Sequence, residues 1–336
     1  MSSDPAKGLA NYLSQEWDEE VSVDGLTIAT AGARRQNLLF DAHHAGQTSR
    51  LVATITPNAA LQVMDAEVEA SCLRFAEAAG MPAPHLHGVS NDVSAVGGPF
   101  FITSRVEGET IPRRVLRMIE ASPGSGARLG RQCGTALAQL HGADLGNAHP
   151  SLAKPEGVTP SEQAIQGLDL LFEDSLQPSL AFRLCFHWLE RNQPPPPQRL
   201  SVVHGDFRNG NLIVGEEGLL ATLDWELTHL GDAMEDLGWL CQRMWRFRND
   251  ELEVGGFASR GDLRGGYEAA GGSWNEESFH WWKVLGTLRW GMGLARQAAA
   301  HLDGSVRSIV MAASGRRVAE LEYDTLMLLR SCFERS

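Results

Sequence analysis

The stretch VVHGDFRNGNLIV, residues 202–214, narrows the possibilities for this chain more than any other. Two short apolar, β-leaning segments, 201–203 and 212–214, flank a loop that holds a His, an Asp, an Arg and two Asn. Asp206 and Asn211 stand five residues apart in that loop, and TLDWE follows at 222–226, placing Asp224 at the end of another apolar run. Oxygen donors of Asn and Asp suit Mg²⁺, a hard cation that takes few ligands from protein. A further carboxylate beside such a metal can accept a proton from a hydroxyl nucleophile. Orientation, metal charge and a base are what phosphoryl transfer to an alcohol requires.

The rest of the chain divides by pattern. Residues 5–20 read as an amphipathic helix with Leu9, Leu13 and Trp17 on one stripe. Strand-like runs follow at 26–30, 37–41 and 51–56, with turns around Gly32 and at HHAGQT. Residues 65–79 read as a helix stopped by Gly80, Pro82 and Pro84. HLHGVS and GPFFITSRV read as two strands around a loop at 90–98. After Gly108 the pattern turns helical, at 126–142 and at 161–191 in two pieces around Pro178. QPPPPQ at 193–198 reads as a stiff surface connector. From Asp236 onward the pattern is helical again, with a Gly-rich loop near 255–272. The fold class expected is therefore α+β, in two lobes: a small β-rich lobe over 1–105 and a larger, mainly helical lobe over 106–336.

Composition limits the function. The 336 residues are 43% hydrophobic and 21% charged, with a net charge of −13. So acidic a chain argues against a nucleic-acid partner, whose footprint is basic, and against an anionic membrane surface. Residues 284–300 are interrupted by Arg289 and Arg296 and read as a core helix, not a membrane span. Five cysteines (Cys72, Cys133, Cys185, Cys241, Cys332) are scattered and never form C-x-x-C. Together with a start lacking a signal-like pattern, they predict reduced thiols, no structural zinc and a cytoplasmic location. Only Lys7, Lys154 and Lys283 among the 29 basic residues are lysine, which limits where a catalytic lysine could stand.

HGDFRNGN, then LDWE, then GDAMEDLGW together resemble the aminoglycoside phosphotransferase family, which shares the protein-kinase-like fold. H-G-D-x-x-x-x-N is the small-molecule counterpart of the kinase catalytic loop. Arg208 and the long string LDWELTHLGDAMEDLGWL resemble most the branch associated with acyl-CoA dehydrogenases. The resemblance covers about residues 25 to 300 and implies a bilobal fold and a Mg²⁺-dependent transfer from ATP, with GTP as an alternative donor, to a small-molecule hydroxyl. The acceptor it implies is aminoglycoside-like or of a hydroxyacyl type.

Position by position, the resemblance implies Asp206 as catalytic base with Arg208 beside it, and Asn211 and Asp224 as Mg²⁺ ligands. It implies His204 and Asp236 as braces of the loop, although Asp236 could equally be an N-cap. Glu69 falls where the small-lobe helix carries its ion-pairing acid. Ser104 and Arg105, in FFITSRVEG, fall where backbone meets the adenine. AGARRQN, with Gly32, Arg34 and Arg35, falls over the phosphates. Trp239, Trp245, Trp281, Trp282 and Trp290 read first as core and second as the wall of an apolar acceptor pocket.

One departure stands out. The family places a basic residue on the strand LVATITP, to hold the α- and β-phosphates; here that position is Thr54, leaving Glu69 without its partner. A neutral hydroxyl makes a bond about half as strong as a charged donor, so nucleotide affinity is expected to suffer. Arg34 or Arg35 from the loop, or Arg50 or Arg105 from neighbouring strands, could replace the missing charge. The competing expectation is a kinase-fold pseudoenzyme that binds a nucleotide or metabolite and regulates a partner. Neither reading fixes the oligomeric state.

Overall fold

The structure, a computed structural model, describes residues 4–31, 35–58, 62–173 and 179–333. Helix α1 (Pro5–Trp17) is capped by Asp4, whose carboxylate accepts the Ala6 N–H. Strands β1 (Ser22–Ala31), β2 (Gln36–His44) and β3 (Gln47–Ile55) form an antiparallel meander. After α2 (Ala66–Ala78) come β4 (Leu86–Ser90), a single turn α3 (Val93–Val96) in the segment expected to be loop, and β5 (Phe100–Ser104). The five strands pair in the order β1-β2-β3-β5-β4, every neighbour antiparallel. Alternation explains the core: Leu38, Phe40 and Ala42 of β2 and Leu51, Ala53 and Ile55 of β3 bury one face, with Leu9 and Leu13 of α1 against them.

The chain continues through α4 (Pro112–Ala121), α5 (Ser125–Gly142), α6 (Pro160–Glu173) and α7 (Leu180–Arg191). Strand β6 (Ser201–Val203) leads into the loop of the opening motif. The loop exits into a hairpin of β7 (Leu212–Gly215) and β8 (Gly218–Thr222). Strand β9 (His229–Gly231) pairs back on β6. Then follow α8 (Met234–Leu240), α9 (Arg260–Ala269), α10 (Glu276–Leu302), α11 (Ile309–Ser314) and α12 (Val318–Phe333).

Helix α9 corrects the sequence reading, which took 255–272 as a Gly-rich loop. Ser259 and Asp262 form a capping box that starts the helix. Its Gly266 serves contact: a Cβ there would fall 2.1 Å from the Arg131 carbonyl oxygen of α5, and one on Gly134 of α5 2.2 Å from the Leu263 oxygen. Small residues at this crossing let the two backbones approach, and the helix tolerates their lower propensity.

The chain separates into two compact units. One comprises Met1–Thr110 with Asp144–Leu152 and Asn211–Thr228; the other comprises Ile111–Ala143, Ala153–Gly210 and His229–Ser336. The β7–β8 hairpin thus belongs with the five-stranded sheet, and the 204–210 loop with the helices. Among the described residues, no helix is long and apolar enough to cross a membrane.

Candidate functional site

In the first unit, the β7–β8 register brings Asn211 and Asp224 to one end of a hairpin. Leu212 pairs with Thr222, and the Leu223 N–H donates to the Asn211 carbonyl at 2.8 Å. Asp224 follows directly, with φ +68°. A non-glycine residue in the left-handed region stores strain, a feature that clusters at functional positions.

Arg35, at the entry to β2, meets Glu69 of α2 through both ends of its guanidinium: Nη1 to Oε1 at 2.9 Å and Nη2 to Oε2 at 2.6 Å. The same guanidinium reaches Asp224 Oδ1 at 3.2 Å and Glu226 Oε2 at 3.0 Å. The Glu69 and Glu226 side chains are 3% and 9% exposed, whereas Asp224 is 34% exposed. Burial opposes the Arg35 charge, but the three carboxylates outweigh it and hold the guanidinium protonated above its usual range. Burial pushes the Glu69 carboxyl up to about 7; Arg35 pulls against this, while Asp224 and Glu226 add to it.

Glu69, expected to lack a basic partner, therefore has one, and it comes from β2 instead of β3. Thr54 of β3 lies opposite Asn37 of β2, and Arg35 stands two residues before Asn37, on the same face by strand alternation. Gly32 and Arg34 lie outside the described residues. At the other end of the sheet, the Ser104 N–H donates to His85 O at 2.8 Å and the Arg105 N–H to Arg50 O at 2.9 Å. Both donors are engaged within the sheet. Arg105 and Arg50 both pair with Glu107.

Hard oxygens, a partly exposed Asp224 and an adjacent Asn211 suit a divalent cation that brings its own phosphate ligands. Among the described residues no group of three or more His, Cys, Asp or Glu is placed to hold a metal ion by itself. The oxygen donors present fit such an ion.

In the second unit, the loop after β6 is gripped by α8. Asp236 is fully buried; its Oδ2 accepts the His204 N–H at 2.7 Å and its Oδ1 the Gly205 N–H at 2.9 Å. Asp236 is thus a brace inside the first turn of α8, not its N-cap. His141 of α5 adds an Nε2 contact to Asp236 Oδ2 at 3.1 Å, and the Tyr267 hydroxyl of α9 meets its Nδ1 at 3.1 Å. His204, itself fully buried, takes the Asp206 N–H on Nδ1. Gly205 and Gly210 adopt φ +83° and +120°, turns that a side chain would strain.

The Asp206 carboxylate accepts the Arg208 Nε at 3.0 and 3.1 Å and the Trp239 indole N–H at 2.8 Å. Arg208 lies 4.7 Å over the Trp245 ring, and Arg289 lies 5.2 Å over Trp239, tied to Glu235 at 2.9 Å. Trp239, Trp245 and Trp290 pack together with centroids 5.2–6.0 Å apart. Trp281 and Trp282 are core. Sequence reasoning found Asp206 and its loop but missed His141, Tyr267 and Glu226. Trp239, read there first as core and second as pocket wall, is buried and also touches Asp206 directly; its spacing of three from Asp236 was the available signal.

The profile of the phosphotransferase enzyme family matches residues 26–274. The chain belongs to that family. Among curated relatives, acyl-CoA dehydrogenase family member 11 of Gallus gallus is 30% identical over 175 residues, 49% of this chain and 21% of that protein. The Homo sapiens member 11 is 25% identical over 244 residues, 69% of this chain and 30% of that protein. The chain therefore spans less than a third of these relatives' length. Among solved structures, a protein provisionally named an aminoglycoside phosphotransferase from Ralstonia eutropha aligns with TM-score 0.73 at 21% identity, covering 97% of this chain and 98% of that one. The GDP complex of aminoglycoside 2'-phosphotransferase-IIIa aligns with TM-score 0.64 at 13% identity, covering 96% and 98%. The fold is that of the protein-kinase-like phosphotransferases.

Proposed function

We propose that this protein is a Mg²⁺-dependent phosphotransferase that moves the γ-phosphate of ATP, or of GTP, to a hydroxyl of a small molecule. The observation that carries the reading is Arg35, paired end-on with Glu69 beside Asp224. It supplies the charge that Thr54 cannot, and removes the main objection to nucleotide binding raised by the sequence. In this reading Arg35, held by Glu69 and Glu226, takes the α- and β-phosphates. Asn211 and Asp224 hold the metal, which when bound neutralises charge on the phosphates. Asp206 takes the acceptor's proton as its oxygen bonds to phosphorus and the nucleoside diphosphate leaves. With the Ser104 and Arg105 N–H groups engaged, a purine is met by backbone from Val106 onward.

Two guanidiniums against an aromatic wall, Arg208 on Trp245 and Arg289 on Trp239, favour an acceptor with an apolar body over a polycationic sugar. The named relatives, acyl-CoA dehydrogenase family members, fit a hydroxyacyl acceptor better than an aminoglycoside.

The test is calorimetric titration with ATP and GTP, with and without Mg²⁺, on the wild type, Asp224→Asn and Arg35→Ala. Expected are Mg²⁺-dependent binding in the wild type, loss of the Mg²⁺ dependence in Asp224→Asn, and weakening by about 10-fold or more in Arg35→Ala, the loss of a charge-assisted contact. A wild type that binds neither nucleotide at millimolar concentration would sink the proposal in favour of a kinase-fold regulator.

A further inference from the structure

Buried indole N–H groups need acceptors, and the tryptophans of the helical unit meet that need differently. Trp281 donates to a backbone carbonyl, Leu189 O, at 3.1 Å, and Trp282 to the buried Asp232 at 2.9 Å. Trp245 and Trp290, in the same cluster as Trp239, have indole nitrogens with no hydrogen-bond partner among the described residues. Trp239 alone in that cluster spends its N–H on Asp206, at 2.8 Å, with its side chain 4% exposed.

Helix α8 makes this contact specific. Asp236 and Trp239 are three residues apart and therefore share a helix face. Asp236 holds the backbone of the loop at His204 and Gly205, and Trp239 holds the carboxylate two residues later. One short helix fixes both the path of the loop and the orientation of its acid. Arg289 sits over the Trp239 ring, anchored by Glu235 of the same helix, which in turn takes His229 at 3.1 Å. A cation above an indole face draws electron density from the ring and makes the N–H a better donor.

We infer that Trp239 is a positioning residue for Asp206, its indole N–H fixing the carboxylate's rotation. The inference rests on the reading of Asp206 as the base. A base held in one orientation loses less freedom as the acceptor arrives. Arg208 cannot replace it. Its Nε spans both carboxylate oxygens almost equally, at 3.0 and 3.1 Å, and does not distinguish between them, whereas Trp239 singles out Oδ1.

The experiment uses the full chain and two readouts. The indole resonance of residue 239, assigned by its absence from Trp239→Phe, is followed by ¹⁵N–¹H correlation in the wild type and in Asp206→Asn. The expected result is a downfield wild-type resonance that moves upfield in Asp206→Asn; a resonance indifferent to that change overturns the inference. Steady-state hydrolysis of Mg·ATP, with water standing in for the acceptor alcohol, is then compared between wild type and Trp239→Phe. Expected is a fall in kcat of up to about 100-fold, the scale of a small misplacement, with KM for the nucleotide within about 2-fold. Unchanged kcat overturns the inference. If Trp239→Phe does not fold, the resonance is assigned instead through its through-space contacts to neighbouring protons in the wild type, and the Asp206→Asn spectrum still decides. Failure of the wild type to bind nucleotide in calorimetry counts against the phosphotransferase reading and is seen separately from the indole resonance.

Discussion

Arg35 illustrates how one side chain can carry several obligations. Its guanidinium satisfies Glu69, Glu226 and one oxygen of Asp224, two of which are buried. Truncating it leaves buried carboxylates without a cation, and breaking a buried pair from one side costs about 3–5 kcal/mol. Arg35→Ala is therefore expected to lower unfolding free energy by that order in a urea titration. Adding Glu69→Gln should recover part of the loss, because the two sites act on one network. The same geometry predicts how Thr54 behaves. Thr54→Lys alone should change nucleotide affinity little, since the phosphate anchor is already present. In an Arg35→Ala background it should restore affinity, because position 54 lies on the same strand face. Failure of that restoration would mean that the Arg35 position, not its charge, matters. Sequence reading placed Glu69 and Arg35 separately but could not join them. The register that sets Arg35 two residues from the partner of Thr54 depends on a turn that no hydrophobic pattern encodes.

At the scale of elements, what the sequence disclosed and what it hid follow from period and burial. The β2 and β3 alternation and the α1, α2 and α5 stripes were legible because one face of each is buried and the other is not. Helix α9 was not, since RGDLRGGYEA puts glycines where packing needs them and so resembles a loop. Trp239 was readable as apolar but not as a donor, because direction along a helix face emerges only once the loop it faces is placed. The α5–α9 crossing gives a test of this account. A Cβ at Gly134 would lie 2.2 Å from Leu263 O and 2.6 Å from Tyr267 N, both backbone atoms that can yield only if α9 moves. Gly134→Ala should destabilise by about 1–3 kcal/mol, the cost of overpacking, despite alanine's better helix propensity. The displacement should also reach the Tyr267–His141–Asp236 chain that braces the loop. Turnover should therefore fall more than the residual folded fraction accounts for, when denaturation and activity are measured at one temperature.

Over the whole molecule, burial prevails at some acids and is overcome at others, and pH separates them. In the helical unit, burial raises the proton affinity of Glu235, but His229 and Arg289 outweigh it and leave its pKa lowered to about 2. Glu253 likewise falls to about 2, as Arg260 and Lys283 overcome burial. Both acids are ionised at lower pH in the folded chain than in the unfolded one, where they titrate near 4.5. Their stabilisation is complete above about pH 4.5 and disappears as pH falls towards 2, at about 3 kcal/mol for each shift of this size. In the sheet unit the sign reverses. Glu69, pushed up to about 7, binds its proton more tightly when folded, so its contribution is complete below about pH 4.5 and is lost as pH rises to 7. The protein is therefore expected to be most stable near pH 5, where both losses are small, and to weaken on both sides. Thermal unfolding scanned from pH 3 to 8 checks this. Glu69→Gln should flatten the neutral limb without touching the acid one, and Glu235→Gln should flatten part of the acid limb alone. A single limb responding to both substitutions would contradict the assignment of opposite signs to Glu69 and Glu235.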